Sequence, residues 1–244
     1  MAGQPIEALA RGLRILEVLS SANGAMGNGQ LSRATGLPPS TVSRLTDSLV
    51  QLGYLKVSPD SGAYQLTPKN LRLGYPVLAN LPIAGRAQQA IDELGERSGM
   101  TAAIAVRDDL HMSFLAVRRP RKSRAVPLAV GGRLPISVSA AGIAFLRSMT
   151  EPSRSRVTNA IRSDLQRRGQ PVDEFERRLA EPAQQLHVSL GGWNSEVGGV
   201  ATAFRAGGEL YAVSLIARSD ELTDFDPDGE LAQLLIGTAD QLAD

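Results

Sequence analysis

The chain has 244 residues, 43% hydrophobic and 21% charged, which supports one large domain or two smaller ones and excludes a stapled mini-protein or wholesale disorder. Its lack of cysteine excludes disulfides, thiolate metal ligands and cysteine nucleophiles, and fits a reducing compartment. Net charge is +1, but residues 1–80 carry 7 Lys/Arg against 4 Asp/Glu while residues 81–244 carry 19 against 21, which nominates the N-terminus as the place to look for a basic module.

Leu9, Leu13, Leu16 and Leu19 recur at three- and four-residue spacing and predict a first helix with one apolar stripe over residues 9–20. The Gly/Asn-rich stretch that follows breaks the pattern. QLSRAT is a short second helix ended by Gly36, and Pro38-Pro39 stand where a third would begin. From residue 40 to 52, Val42, Leu45, Leu49 and Leu52 take the inward positions, so Ser40, Ser43, Arg44 and Asp47 face the other way. Gly53 stops this helix, and YLKVS and AYQLT around PDSG predict a β-hairpin. Helices, a glycine turn, a further helix and a hairpin within about 70 residues is the order of a winged helix-turn-helix, whose second turn helix enters the major groove of DNA.

Residues 69–81 predict a helix despite Gly74 and Pro76, and a second helix follows Pro82. TAAIAVRD and LHMSFLAVR form a hairpin, with SRAVPLAV as a third strand. A helix over SAAGIAFLRSM, charged helices over residues 151–168 and 173–187, a hairpin across Gly207-Gly208 and a closing amphipathic helix complete the chain. The second half is therefore α+β, an antiparallel sheet with helices. The expected domains are 1–68, a linker helix over 69–82, and 83–244.

A helix that reads DNA needs a slim start carrying hydroxyls and a guanidinium for bases and phosphates. Ser40, Thr41, Ser43 and Arg44 supply them. Arg44 suits either a bidentate contact to guanine or a phosphate contact. Arg11 and Arg14 on the first helix, and Lys56 and Ser58 on the hairpin, are further candidates for backbone phosphates. The basic run from Arg118 to Arg124 reads better as a solvated inter-strand loop than as a nucleic-acid patch.

Catalytic signatures are missing from the sequence, and His111 and His187 have no carboxylate pattern joining them. Asp173, Glu174 and Glu176 are followed at once by Arg177 and Arg178, the composition of a solvated helix face. These features call for no cofactor or metal and favour a non-enzyme. Two other classes stay open: an enzyme acting through His111 or the carboxylates of the second half, and a sensor or protein-interaction module that never touches DNA. No apolar run approaches the roughly 20 residues that span a bilayer, and the opening residues lack a signal-peptide layout, so a cytoplasmic location is expected.

Three ordered segments resemble the IclR family of bacterial transcription regulators: RGLRILEVLS, GLPPSTVSRLTDSLVQLGYL and GGRLPISVSAAGIAFL. The resemblance covers nearly the whole chain. It implies a winged-helix DNA-binding domain, a linker helix, a GAF-like effector-binding domain, and dimers or dimers of dimers on operator DNA. By position it assigns Ser40, Thr41, Ser43 and Arg44 to DNA reading and Ala140, Ala141, Gly199 and Ser214 to a small-molecule pocket. A helix start offers free N–H groups to a carboxylate, and Ser214 adds a hydroxyl. Two departures stand out. Pro39 replaces a frequent lysine, and VSLGGWNSEVGG lacks the acidic signature of that family. A family-like acid contact would fall near Ser189, so Ser189 and Trp193 imply a bulkier or aromatic ligand in place of a small keto acid.

Overall fold

In the computed structural model, residues 6–22, 24–120, 128–181 and 185–244 are described. The chain divides into two compact units, Met1–Asn80 and Leu81–Asp244.

The first unit contains α1 (Glu7–Ser21), α2 (Asn28–Thr35), α3 (Pro39–Gln51), β1 (Leu55–Val57), β2 (Tyr64–Leu66) and α4 (Leu71–Ala79). Gly36 takes the left-handed conformation that ends α2, and Pro39 opens α3, where its missing N–H costs nothing and its fixed φ suits a helix. Ile15, Leu19, Leu31, Val42 and Leu55 close a small core. β1 and β2 pair antiparallel with Lys56 opposite Gln65, and Met26 bridges to Tyr64 as a short third rung. The unit is a winged helix-turn-helix.

The α1 stripe differs from expectation. Ile15 and Leu19 face the core, whereas Leu9 and Leu13 are 60% and 50% exposed. Three- and four-residue spacing finds an apolar stripe without saying what covers it, and α1 carries two stripes. Leu52 is likewise exposed because the helix has ended at Gln51. The predicted linker helix is α4, which buries none of its residues and falls within the first unit.

The second unit contains α5 (Ala84–Ser98), β3 (Thr101–Asp108), β4 (His111–Arg118), β5 (Arg133–Pro135), α6 (Ala140–Ser148), α7 (Ser153–Arg167), α8 (Val172–Ala180), β6 (His187–Leu190), β7 (Val197–Ala206), β8 (Glu209–Arg218) and α9 (Glu230–Leu242). Six strands form one antiparallel sheet in the order β5-β4-β3-β8-β7-β6. Alternation along β8 sends Tyr211, Val213 and Leu215 to one face, against Ile91 and Leu94 of α5 and Leu235 of α9. Ala212 and Ile216 go to the other, where α6 lies on β7 and β8 and packs with α7 and α8. Each fully buried Ile or Leu contributes about 1.5–3 kcal/mol of apolar transfer. The fold is α+β, as expected.

Three boundaries depart from the periodicity. The helix expected to run to 187 stops at Ala180, because Glu181 precedes a proline and adopts an extended backbone. His187 therefore starts β6, an edge strand that no alternation pattern flagged. The strand expected over SRAVPLAV falls largely outside the described residues, as does most of the Arg118–Arg124 run; β5 comes later, at Arg133–Pro135.

Candidate nucleic-acid interface and effector pocket

The turn Gly36–Leu37–Pro38 sets the entry to α3. Ser32 Oγ donates to the Leu37 carbonyl at 2.6 Å, and Thr35 Oγ1 donates to Leu31 while accepting from the Leu37 N–H. Val42 and Thr46 are buried, and Thr46 returns its hydroxyl to the Val42 and Ser43 carbonyls, so the inner face of α3 is committed. Ser40 and Arg44 are exposed and Thr41 is half-buried. Ser43 is half-buried and its Oγ accepts from Asn28 Nδ2 at 2.5 Å, which ties the start of α2 to α3. Ser43 is thus partly a structural residue, leaving its hydroxyl proton to donate elsewhere. Asn28 was not singled out by sequence reasoning. No local pattern links residues 28 and 43, which meet only across the turn.

Of the more peripheral candidates, Lys56 and Arg14 are exposed, while Ser58 is half-buried at the start of the wing turn, where its N–H donates to Ala63 and its carbonyl accepts from Gly62. Arg11 is paired with Glu7 one helical turn away. Lys69 caps the end of α3 through the Leu52 carbonyl at 2.7 Å and lies over the Tyr54 ring.

In the second unit, the five positions expected to hold a ligand, Ala140, Ala141, Ser189, Gly199 and Ser214, line one cavity of about 40 Å³. Ser139 caps α6: its Oγ accepts from the Gly142 N–H at 3.1 Å and donates to the Pro135 carbonyl at 2.9 Å. Of the amides left over at a helix start, those of Ala140 and Ala141 remain to meet a ligand. A side chain at Gly142 would run into the Ile136 backbone at 2.4 Å, so glycine lets the first turn of α6 sit directly on the preceding loop. A Cβ at Gly199 would stand 3.5 Å from the Ala140 methyl. Ser214 Oγ lies 3.4 Å from the Ala103 carbonyl, long for a hydroxyl hydrogen bond, which leaves it available. Ser189 donates to the Val138 carbonyl at 2.9 Å and so pins the loop that precedes α6.

The remaining walls include Phe114, Leu134, Val197 and Ile216, with Trp193 closing one side while 46% exposed. Trp193 sits on a loop whose Gly192 approaches the Val138 carbonyl so closely that a Cβ there would stand at 2.3 Å. The cavity is an apolar slot with donors at one end. Sequence reasoning missed Ser139, although serine before a small-residue helix start is a recognisable capping pattern. It also missed the apolar walls, which converge from four strands and carry no local signal.

Neither histidine belongs to this cavity. His187 is buried; desolvation first, then the Arg147 and Arg178 guanidinium groups, push it down to about 4 although Glu181 lies 3.5 Å from Nδ1. Partial burial, then Arg133, also lowers His111. On α8, Glu174 pairs with Arg178 and Glu176 with Arg162 of α7. Among the described residues no cluster of His, Asp and Glu could hold a metal ion.

A family model for the IclR helix-turn-helix domain matches residues 8–59, from α1 into the wing. The chain is 36% identical over 188 residues to the HTH-type transcriptional regulator TsaQ1/TsaQ2 of Comamonas testosteroni, covering 76% of this chain and 66%, less than two thirds, of that regulator. A solved IclR family transcriptional regulator from Brucella abortus is 31% identical, with a TM-score of 0.76 over 98% of this chain and 92% of that one. The chain belongs to the IclR family of transcriptional regulators. An IclR homolog from Microbacterium hydrocarbonoxydans, solved in complex with 4-hydroxybenzoate, shares the fold at a TM-score of 0.72 and 20% identity over 97% of both chains. The IclR model thus spans the whole of α3, including Ser40, Thr41, Ser43 and Arg44.

Proposed function

We propose that this IclR-family chain binds operator DNA through residues 1–68, holds a small-molecule effector in residues 83–244, and couples the two through the linker over 69–82. The observation that carries this reading is the start of α3: Ser40, Thr41 and Arg44 project from a scaffold whose inner face is fully committed to packing. Arg44 reads a base edge or anchors a phosphate, Lys56 and Ser58 on the wing and Arg14 on α1 contribute phosphate contacts, and Arg11 joins them by exchanging Glu7 for phosphate.

The effector is an apolar or aromatic carboxylate. Its carboxylate meets the Ala140 and Ala141 amides and the Ser214 hydroxyl, and its body lies against Trp193, Phe114 and Ile216, with Gly199 leaving room and Ser189 holding the loop. The related Microbacterium protein, crystallised with 4-hydroxybenzoate, supports this choice. At about 40 Å³ the cavity is too small for such a molecule, so entry moves the Trp193 loop, and the effector acts by favouring one of two arrangements of the regulator.

The functional unit is a homodimer or a dimer of dimers. Apart from Arg72 and the Tyr75 hydroxyl α4 is apolar, yet Leu71, Leu73, Tyr75 and Val77 are exposed, as are Leu9 and Leu13 on α1 and Ile6 just before it; a helix so apolar is stable when covered, here by a second copy. The second domain binds and does not catalyse. His111 and His187 open β4 and β6, and with β3, β8 and β7 between β4 and β6, and Val117 rather than His111 on the row of His187, the two lie more than about 19 Å apart and cannot share a substrate. Among the described residues no helix is long and apolar enough to cross a membrane. A regulator of chromosomal DNA works in the cytoplasm.

The test is a fluorescence-anisotropy titration against DNA upstream of the chain's own and neighbouring genes, over a salt series, with aromatic acids added afterwards. Sequence-dependent, salt-steep binding that an aromatic acid alters is expected. Equal affinity for operator and random DNA at every salt concentration would remove the regulator reading.

A further inference from the structure

The effector slot has a neighbour. A second cleft, of about 170 Å³, lies between the start of β4, the second half of α7 and the loop that carries Trp193, and it shares Val138, Gly192 and Trp193 with the slot. Those three residues form the wall between the two. The wall is anchored on one side only: Gly192 stands so close to the Val138 carbonyl that a Cβ would meet it at 2.3 Å, and Ser189 Oγ donates to that same carbonyl at 2.9 Å, whereas Trp193 is half exposed. A slot of about 40 Å³ admits an aromatic acid only when the Trp193 loop moves, and that movement takes the wall away. One displacement therefore opens the slot and joins it to the cleft.

The cleft differs from the slot in chemistry. Its charged side chains cancel, because Arg168 pairs with Asp164 at 2.8 Å, so nothing in it calls for a second anion. His111, at the start of β4, supplies a directional group. Arg133 lies 3.4 Å from its Nδ1, and a guanidinium can only donate, so Nδ1 accepts and the ring proton sits on Nε2. Partial burial first, then Arg133 and Arg168, hold this ring below the usual histidine range and so neutral at pH 7. Arg133 does not border the cleft although His111 does, so the ring edge turned to the cleft is the one away from Arg133, with its N–H.

A neutral N–H donor beyond a movable aromatic wall answers an uncharged oxygen acceptor, such as a phenolic hydroxyl. Resting on the reading of the slot as the effector site, we propose that slot and cleft together recognise a two-ended aromatic acid: its carboxylate meets the start of α6, its ring passes Trp193, and its distal hydroxyl accepts from His111 Nε2. Trp193 and His111 then determine specificity, the first for effector length and the second for the chemistry of the far end.

Calorimetric titration of the full chain with benzoate, cinnamate and 4-hydroxycinnamate tests this, benzoate filling the slot alone and the two cinnamates reaching past the wall. 4-Hydroxycinnamate should bind about fivefold tighter than cinnamate, the worth of one hydrogen bond, and His111→Phe should remove that preference while leaving the affinity for benzoate within about twofold. Trp193→Ala, at an exposed position, should raise the affinity for 4-hydroxycinnamate relative to benzoate by about threefold, because the wall is gone. Ser214→Ala should weaken all three acids together. Benzoate binding that Ser214→Ala weakens, with no preference for the hydroxyl or with a preference that survives His111→Phe, leaves the slot standing and overturns its extension into the cleft. Binding of none of the three acids overturns the slot as an effector site and the two-ended ligand with it. Should His111→Phe fail to fold, Trp193→Ala decides, and an unchanged ratio of the two affinities overturns the shared wall.

Discussion

The starts of α3 and α6 solve one problem in opposite ways. At α3, Pro39 opens the helix and the next residues project Ser40, Thr41 and Arg44 away from a committed core. At α6, Ser139 caps the helix and the following Ala140, Ala141 and Gly142 are all buried, offering backbone amides where α3 offers side chains. On the proposed reading, a partner as large as a duplex must be reached, so the groups assigned to it stand out from the surface. A small ligand must be enclosed, so the residues assigned to it are small and leave backbone amides to bind it.

Four outcomes would sharpen or break that contrast. The largest is expected at Gly142, where an added methyl meets the Ile136 backbone at 2.4 Å. Gly142→Ala should cost the second unit about 3 kcal/mol, the upper range for overpacking, and abolish effector binding while leaving the winged helix folded. Urea melts followed separately for each unit would reveal this, and an unaltered second unit would mean that close packing at α6 is dispensable.

His187 probes how far enclosure extends. Above pH 6.5 it is neutral in both folded and unfolded chains; as pH falls, the unfolded chain takes up the proton first because the folded group is held near 4. Stability is therefore lost progressively from about pH 6.5 down to about pH 4, reaching roughly 3 kcal/mol. His187→Gln should flatten that stretch of the profile, and identical profiles for the two proteins would show that the histidine is not desolvated.

On the projecting side, Arg44→Ala should weaken operator binding by about 2 kcal/mol and relax preference at one base pair, as measured by footprint titration. A uniform loss across sequences, with the salt slope lowered by about one, would place Arg44 on a phosphate. The smallest effect belongs to Ser214→Ala, which should reduce affinity for an aromatic acid such as 4-hydroxybenzoate by about 1 kcal/mol with stability nearly unchanged. A larger loss of stability than of affinity would make Ser214 a packing residue.

Legibility in the sequence followed the same division. Arg44 and the two serines and threonine beside it announce themselves by residue type and by a helical face, and only the partial burial of Ser43 against Asn28 escaped that reading. Ala140, Ala141 and Gly199 carry no chemistry of their own; they were reached through motif resemblance, and their convergence on one cavity depends on β7 and β8 lying under α6. The α1 stripe was misread for a related reason: Leu9 and Leu13 obey helical spacing as faithfully as Ile15 and Leu19, but only the latter pair meets α2 and α3.

Local order was thus written into the chain itself. Apolar periodicity, Gly36, Pro39 and the wing turn specify a winged helix-turn-helix, because each acts over a few residues, where backbone geometry and neighbouring side chains suffice. The non-local results belong to tertiary structure: which of two apolar stripes is covered, the edge position of β6, the slot closed by Trp193, and the hydrogen bond from Ser189 to the Val138 carbonyl. Each depends on groups far apart in sequence meeting at ångström separations, and only the packed sheet and its helices fix those separations.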